Sequence, residues 1–221
     1  MRISDDRYRR ERARMELALR FLRHEARTQT IRAWTGLSDD RIRKLYRSYM
    51  SHARRELPRH RGKSPHQIAY FTRSLRLQEE TAVLASVLSL LGLVPGPIAA
   101  CAEPGAGGPP APVVPVAALA MRVATVVPVV PVATEAPEAG AGLPGLARGE
   151  LLCQAFEVFR LLLPSAQISF EHAVFLAGAL ARGDQLRIGG CCDCGSLMVT
   201  ERFPLRAARC HRCTGAPHPR C

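Results

Sequence analysis

Eight cysteines stand in this chain of 221 residues, and four of them are spaced for chemistry. Cys191 and Cys194 form one C-x2-C pair, Cys210 and Cys213 a second, and fifteen residues, Gly195 to Arg209, separate the pairs. That is the spacing of a structural zinc site. A two-residue gap turns both sulfurs inward while nearby backbone N–H groups can donate to them. Gly195 follows the first pair, where a tight turn favours a residue of permissive φ. A short hairpin over Leu197 to Thr200 and Leu205 to Arg209 is expected to bring the two turns together as four tetrahedral thiolates holding one Zn(2+) per chain. A redox or disulfide pair and an iron–sulfur centre are the alternatives that the same spacing leaves open.

The remaining candidates near this cluster read as bystanders. His211 lies inside the second turn and is expected to point away once both flanking cysteines bind, so no open catalytic position is expected. Pairing Cys192 with Cys194 would leave a single intervening residue, so Cys191 is preferred and Cys192 becomes a spare thiol. Cys101 and Cys153 read as small buried or incidental residues, and Cys221 as a tail residue. The chain opens Met1-Arg2-Ile3-Ser4-Asp5-Asp6 and continues charged, unlike a secretory leader. A cytoplasmic location is therefore expected, where neighbouring cysteines are more often metal ligands than disulfides. No paired carboxylates and no nucleophile–base arrangement stand out, and a protein that is not an enzyme is expected.

Charge supplies the second candidate chemistry. The chain carries 31 Lys plus Arg against 19 Asp plus Glu, a balance of +12. Lys44 and Lys63 are the lysines, and arginine makes up the rest. Residues 1–80 alone hold a balance of +11. This raises the expectation of phosphate-backbone contacts or another anionic surface. Apolar content of 47% excludes a wholly disordered chain.

Positioning those groups requires helices. Met15, Leu19, Leu22 and Ala26 recur at helical spacing, widened by Leu17 and Phe21, and predict a first helix from about Arg9 to Arg27. A short second helix is predicted over Thr28 to Trp34, broken by Gly36. Ser38 is placed to cap the next helix, and Asp39 and Asp40 fall in its first turn, where the helix dipole favours them. Ile42, Leu45, Tyr46 and Tyr49 are its apolar positions, while Arg41, Arg43, Lys44 and Arg47 point largely elsewhere. Short helix, glycine turn and capped basic helix make a helix-turn-helix arrangement, whose second helix enters the major groove in DNA-binding modules. A basic loop follows, with Arg54, Arg55, Arg59, Arg61 and Lys63 as further candidate phosphate contacts. An αα-hairpin with a solvated charged face is the competing reading.

Ser64, Pro65 and Gln67 read as cap, first helical position and capping box of a further helix. Ile68, Phe71 and Leu75 follow on one face, with a break placed near Gln78. Residues 81–102 carry no charge over 22 positions, but Pro95, Gly96 and Pro97 interrupt them, so Val83 to Val94 is expected to be a buried helix that needs a partner. Residues 95–147 hold 11 of the 17 prolines and seven of the 17 glycines, which predicts a linker or insertion. Helical pattern returns with Leu151, Leu152, Ala155, Phe156, Phe159 and Leu162, ending at Pro164. It continues from Ser169 or Phe170 to Arg182, closed by Gly183. The expectation is a mostly α fold, all-helical before the cysteines. Its parts are a basic helix-turn-helix-like region (1–94), the linker (95–147), a helical pair (148–188) and a zinc-binding module with its tail (189–221).

The order of these parts resembles the C subunit of the bacterial flagellar master transcriptional activator. The resemblance is carried by Thr35-Gly36-Leu37-Ser38 with Arg41 to Tyr49, by Arg61-Gly62-Lys63-Ser64-Pro65, and by Ala173 to Gly183 running into the four cysteines. It covers roughly residues 9–94 and 148–214. It implies a mostly helical transcriptional activator subunit with Cys191, Cys194, Cys210 and Cys213 as zinc ligands. It also implies a hetero-oligomer of four small helical D subunits with two C subunits, binding of double-stranded flagellar-promoter DNA, and recruitment of RNA polymerase. The Pro/Gly-rich middle and the extra Cys192 depart from the family pattern. A zinc-stabilised interaction or scaffold protein without specific DNA binding is the competing function.

Overall fold

The computed structural model describes residues 2–50, 65–97, 145–203 and 209–214, the side chains of 2–6, 50, 211 and 214 excepted. The basic loop with Arg54, Arg55, Arg59, Arg61 and Lys63, the cap residue Ser64, Cys101, Cys221, residues 204–208 and most of the Pro/Gly-rich stretch lie outside the described residues. The fold is mostly helical with a four-cysteine cluster towards its C-terminal end. In chain order it runs α1 (Arg2–Arg23), α2 (Thr28–Thr35), α3 (Asp39–Leu45), α4 (Leu75–Leu90), α5 (Gly145–Leu162), α6 (Phe170–Arg182), β1 (Leu186–Gly190), β2 (Leu197–Glu201) and α7 (His211–Thr214). A π-helical turn over Tyr46–Met50 prolongs α3, and a 3-10 turn over Ile68–Phe71 precedes α4.

The first helix starts earlier and stops sooner than its apolar spacing predicts. It ends at Arg23 because Glu25 takes a left-handed conformation, φ 59°. The N–H of Ala26 then donates to Phe21 O and that of Glu25 to Leu22 O, at 3.0 Å each. These are the two bonds of a Schellman motif, which satisfies carbonyls the helix end leaves open. The buried stripe also sits further round than expected. Leu17, Ala18, Phe21 and Leu22 are buried, whereas Met15, Leu19 and Ala26 pack against the rim.

Helix α4 corrects the reading of Pro65 as a first helical residue. Residues 65–67 are irregular, and α4 begins at Leu75, capped by Ser74, whose hydroxyl accepts from Leu77 N at 3.3 Å. The break therefore falls at Thr72–Ser74 rather than near Gln78. Gly92, at φ 69°, ends α4 with a second Schellman motif.

One hydrophobic core joins the two ends of the chain. Phe21 of α1, Ile31 of α2, Leu84 and Leu88 of α4, Phe159 of α5 and Leu176 of α6 all belong to it, each essentially inaccessible. Burying one such side chain stabilises the fold by about 1.5–3 kcal/mol. Gly149 lets α5 approach α1: a Cβ there would lie 2.7 Å from Leu17 Cδ2 and 3.3 Å from Trp34 Cε3. Buried carboxylates add polar joints between segments distant in sequence. Glu80 of α4 accepts from the N–H groups of Gln167 and Ile168 at 2.8 and 3.3 Å, and from Arg76 Nε at 3.0 Å. Among the described residues, no helix is long and apolar enough to cross a membrane. Leu84, Ala85, Val87 and Leu88 of the uncharged run are spent on the core.

The expectation of helices alone before the cysteines is overturned. β1 and β2 form an antiparallel hairpin, with Leu186 opposite Glu201 and Gly190 opposite Leu197. The partner of β2 is thus the strand before Cys191. Leu186, Ile188 and Val199 carry the hairpin into the common core, where β2 and α7 meet α4 and β1 meets α6.

Candidate metal centre and basic helix pair

The first C-x2-C turn is the loop of that hairpin. Cys191 N donates to Ser196 O and Gly195 N to Cys191 O, both at 2.9 Å, which curls the loop. Gly195 adopts φ 70°, the left-handed conformation its place in the sequence predicts. The second turn opens α7, where Cys213 N donates to Cys210 O at 3.1 Å. Cys210 N donates to Cys191 Sγ at 3.2 Å and so ties the two turns together. Arg209 and Asp193 pair across them at 3.3 Å.

All four predicted sulfurs converge. The Sγ atoms of Cys191, Cys194, Cys210 and Cys213 lie within 4.8 Å of one another, with Cys194 and Cys210 at 3.5 Å. Zn–S bonds of about 2.3 Å in a tetrahedron place sulfurs about 3.8 Å apart, so the set fits one ion bound by four thiolates. Cys191 and Cys210 are buried, Cys213 is half-buried and Cys194 is exposed. Cys192 is exposed and stands outside the four. His211 opens α7, but its side chain is outside those described.

The electrostatics favour thiolate on the first turn. Burial opposes ionisation of Cys191, but N–H groups of Cys210, Cys194 and Asp193 outweigh it and hold the thiol below its usual range. Ser196 lies 3.1 Å from Cys194 Sγ, and its hydroxyl and backbone, followed by Cys210 and Cys213, bring the Cys194 thiol down to about 6. Cys213 is pushed up because its proton is shared first with Cys194 and then with Cys210. A cation replaces such shared protons when it binds, since metal ligation needs the deprotonated sulfur.

The second candidate region is the pair α2–α3. Gly36, φ 69°, closes α2 by donating its N–H to Arg32 O at 2.9 Å. Ser38 occupies the N-cap position of α3 but makes no side-chain capping bond. Asp39 and Asp40 occupy the first turn instead and supply negative charge at the positive end of the dipole. Ile42 and Leu45 are buried, Tyr46 half-buried and Tyr49 exposed. Arg41, Arg43, Lys44 and Arg47 are all exposed on the outer side. Part of this charge is already engaged: Arg41 pairs with Glu11 of α1, Arg43 with Asp40 at 3.2 Å, and Arg32 with Asp39 at 3.8 Å.

Sequence reasoning missed the carboxylate that positions this pair. Glu171 of α6 is buried, and its Oε1 accepts from Arg27 N at 2.8 Å while Oε2 accepts from Thr30 Oγ1 at 2.9 Å. Its lone signal was a charge in the first turn of a helix otherwise lined with apolar residues.

No protein-family model matches this chain, and no curated protein matches it.

Proposed function

We propose that this protein is a DNA-binding transcriptional activator subunit of the flagellar master-activator C type, with one Zn(2+) held by Cys191, Cys194, Cys210 and Cys213 as a structural staple. The observation that carries the reading is the α2–Gly36–α3 pair, anchored by Ile31, Ile42 and Leu45 while Arg41, Arg43, Lys44 and Arg47 remain exposed. An apolar underside with a basic outer side is what a helix needs to sit on a protein core and face phosphates at once. The closed four-thiolate set leaves no ligand position for substrate, which favours a structural ion over a catalytic one. In this reading the protein is not an enzyme. It acts in the cytoplasm with a small helical D subunit, four to two C subunits, on double-stranded promoter DNA, and helps to recruit RNA polymerase.

The ion pairs Arg41–Glu11 and Arg43–Asp40 favour a second reading, a zinc-stabilised scaffold whose basic residues serve its own fold. Fluorescence anisotropy on flagellar-promoter and scrambled duplexes, with the D subunit present and salt varied, separates the two. The activator reading expects tighter binding to the promoter, and a loss of affinity when Arg43 or Arg47 is replaced by alanine. A base-reading arginine would cost about 1–3 kcal/mol of discrimination. No binding at low salt by folded, zinc-loaded protein leaves the scaffold.

A further inference from the structure

Arg7, Arg10 and Arg14 share one face of α1, because residues three, four and seven apart stack along a helix. Continuing that face by three and four residues reaches Leu17, Ala18 and Phe21, which are buried. The three arginines therefore occupy the extension of the core-facing stripe towards the start of α1, and all three are exposed. A merely solvated charged face would lie opposite the core, as Arg12 does. Here Arg7, Arg10 and Arg14, with Glu11, line a cleft of about 360 Å³.

Glu11 does not neutralise this row. Its Oε1 is shut off from water without a well-aligned hydrogen bond, and it pairs with Arg41 of α3. The carboxylate thus ties the overhanging end of α1 to the basic helix. Among the described residues, Arg7, Arg10 and Arg14 have no carboxylate partner, whereas Arg12 pairs with Glu16 at 2.8 Å. Three guanidinium groups over about 10 Å of helix axis repel one another unless an anion intervenes. One strand of duplex DNA carries about three phosphates over the same length. Guanidinium forks suit phosphate oxygens better than any other common anion except carboxylate.

Resting on the DNA-binding reading above, we infer that this cleft is a second phosphate-contacting surface, which receives one backbone strand of duplex DNA beside α3. Arg41 adjoins both surfaces, so a strand leaving the cleft passes onto the outer side of α3. The cleft positions the duplex and reads no bases; α3 supplies whatever sequence preference the protein has.

The test is a salt series of duplex binding by the full-length, zinc-loaded chain, followed by fluorescence anisotropy. Replacing Arg7, Arg10 and Arg14 together by alanine should reduce the slope of log K against log salt by about 2.7, at about 0.9 per lost phosphate contact. Glu11→Gln releases Arg41 for one more phosphate and should act in the opposite direction, tightening binding and steepening the slope by about 0.9, a gain that misfolding cannot mimic. Arg12→Ala should leave the slope unchanged. A triple variant with the parental slope, alongside an Arg43→Ala/Arg47→Ala variant with a reduced one, overturns the cleft and keeps the DNA reading. Inorganic phosphate titrated at constant ionic strength distinguishes a free-anion site: saturable binding that Arg10→Ala abolishes, with the triple variant's DNA slope unaltered, also overturns it. No duplex binding by the parent protein at low salt removes both readings.

Discussion

The carboxylate of Glu171, in α6, accepts the backbone N–H of Arg27 at the entrance to α2, 144 residues earlier in the chain. Arg27 is the N-cap residue of α2 and makes no side-chain cap of its own. The second carboxylate oxygen takes the hydroxyl of Thr30 within the first turn. A charge from a distant helix thus does the work that the Glu or Gln of a capping box usually does locally, accepting the N-cap N–H at the positive end of the α2 dipole.

Glu171→Ala should therefore lower stability by about 1–3 kcal/mol, because a buried N–H and a buried hydroxyl lose their acceptor. Glu171→Gln, which keeps an acceptor and drops the charge, should cost less. Urea denaturation compares the two. Equal, negligible shifts in both midpoints would mean that water satisfies these groups.

On the proposed zinc site, Cys194→Ser and Cys210→Ser should each abolish metal binding, read as metal content per chain. Structural zinc supplies apparent folding free energy of order 10 kcal/mol in small zinc peptides. Here Leu186, Ile188 and Val199 anchor the hairpin to the core independently of any ion. Hydrogen exchange should consequently accelerate in 189–214 on metal removal while α1, α4 and α5 keep their protection. Unchanged exchange at the hairpin loop after chelation would argue that no ion stabilises it.

Gly149→Ala should destabilise the protein by about 1 kcal/mol or more, although alanine is the better helix former. The added methyl would meet Leu17 on one side and Trp34 on the other, and Leu17 is fully buried with little room to shift. A companion Leu17→Val change should recover part of the loss. Thermal melts of the single and double variants check this, and a single variant that melts higher than the parent would refute it.

Acid should weaken the fold through two histidines. Burial lowers the pKa of His172, and Arg73 and Arg27 lower it further. Burial also lowers that of His24, against the hydrogen bond and charge of Glu157. The unfolded chain then binds protons more readily than the folded one. This contribution to stability is complete above the unfolded value of about 6.5 and is lost as pH falls through it towards the lower folded values. The urea midpoint should fall between about pH 7.5 and pH 5.5, and fall less in His172→Asn. Zinc content followed in parallel separates this from loss of metal. A pH-independent midpoint would refute the assignment.

Local signals in the sequence determined much of what the structure contains. The cysteine spacing identified all four clustered sulfurs, because a C-x2-C turn is shaped by the few residues that form it. Gly36, Gly183 and Gly195 were legible as turn residues for the same reason, and each has a positive φ. The helices α2, α3 and α6 were legible from apolar spacing and nearby breakers, as was the burial of Ile42 and Leu45. The strand β1 was not. Its sequence, Leu-Arg-Ile-Gly-Gly, has little strand propensity, and pairing with β2 across the cysteine loop is what makes it one. Nor was the start of α4 legible at Ser74, because Ser64 and Pro65 offered a stronger local start signal upstream. The roles of Glu80 and Glu171 depended on chain segments 87 and 144 residues away. Only the tertiary structure could assign them, since a buried carboxylate is tolerated where distant backbone donors converge on it, and that convergence has no local signature.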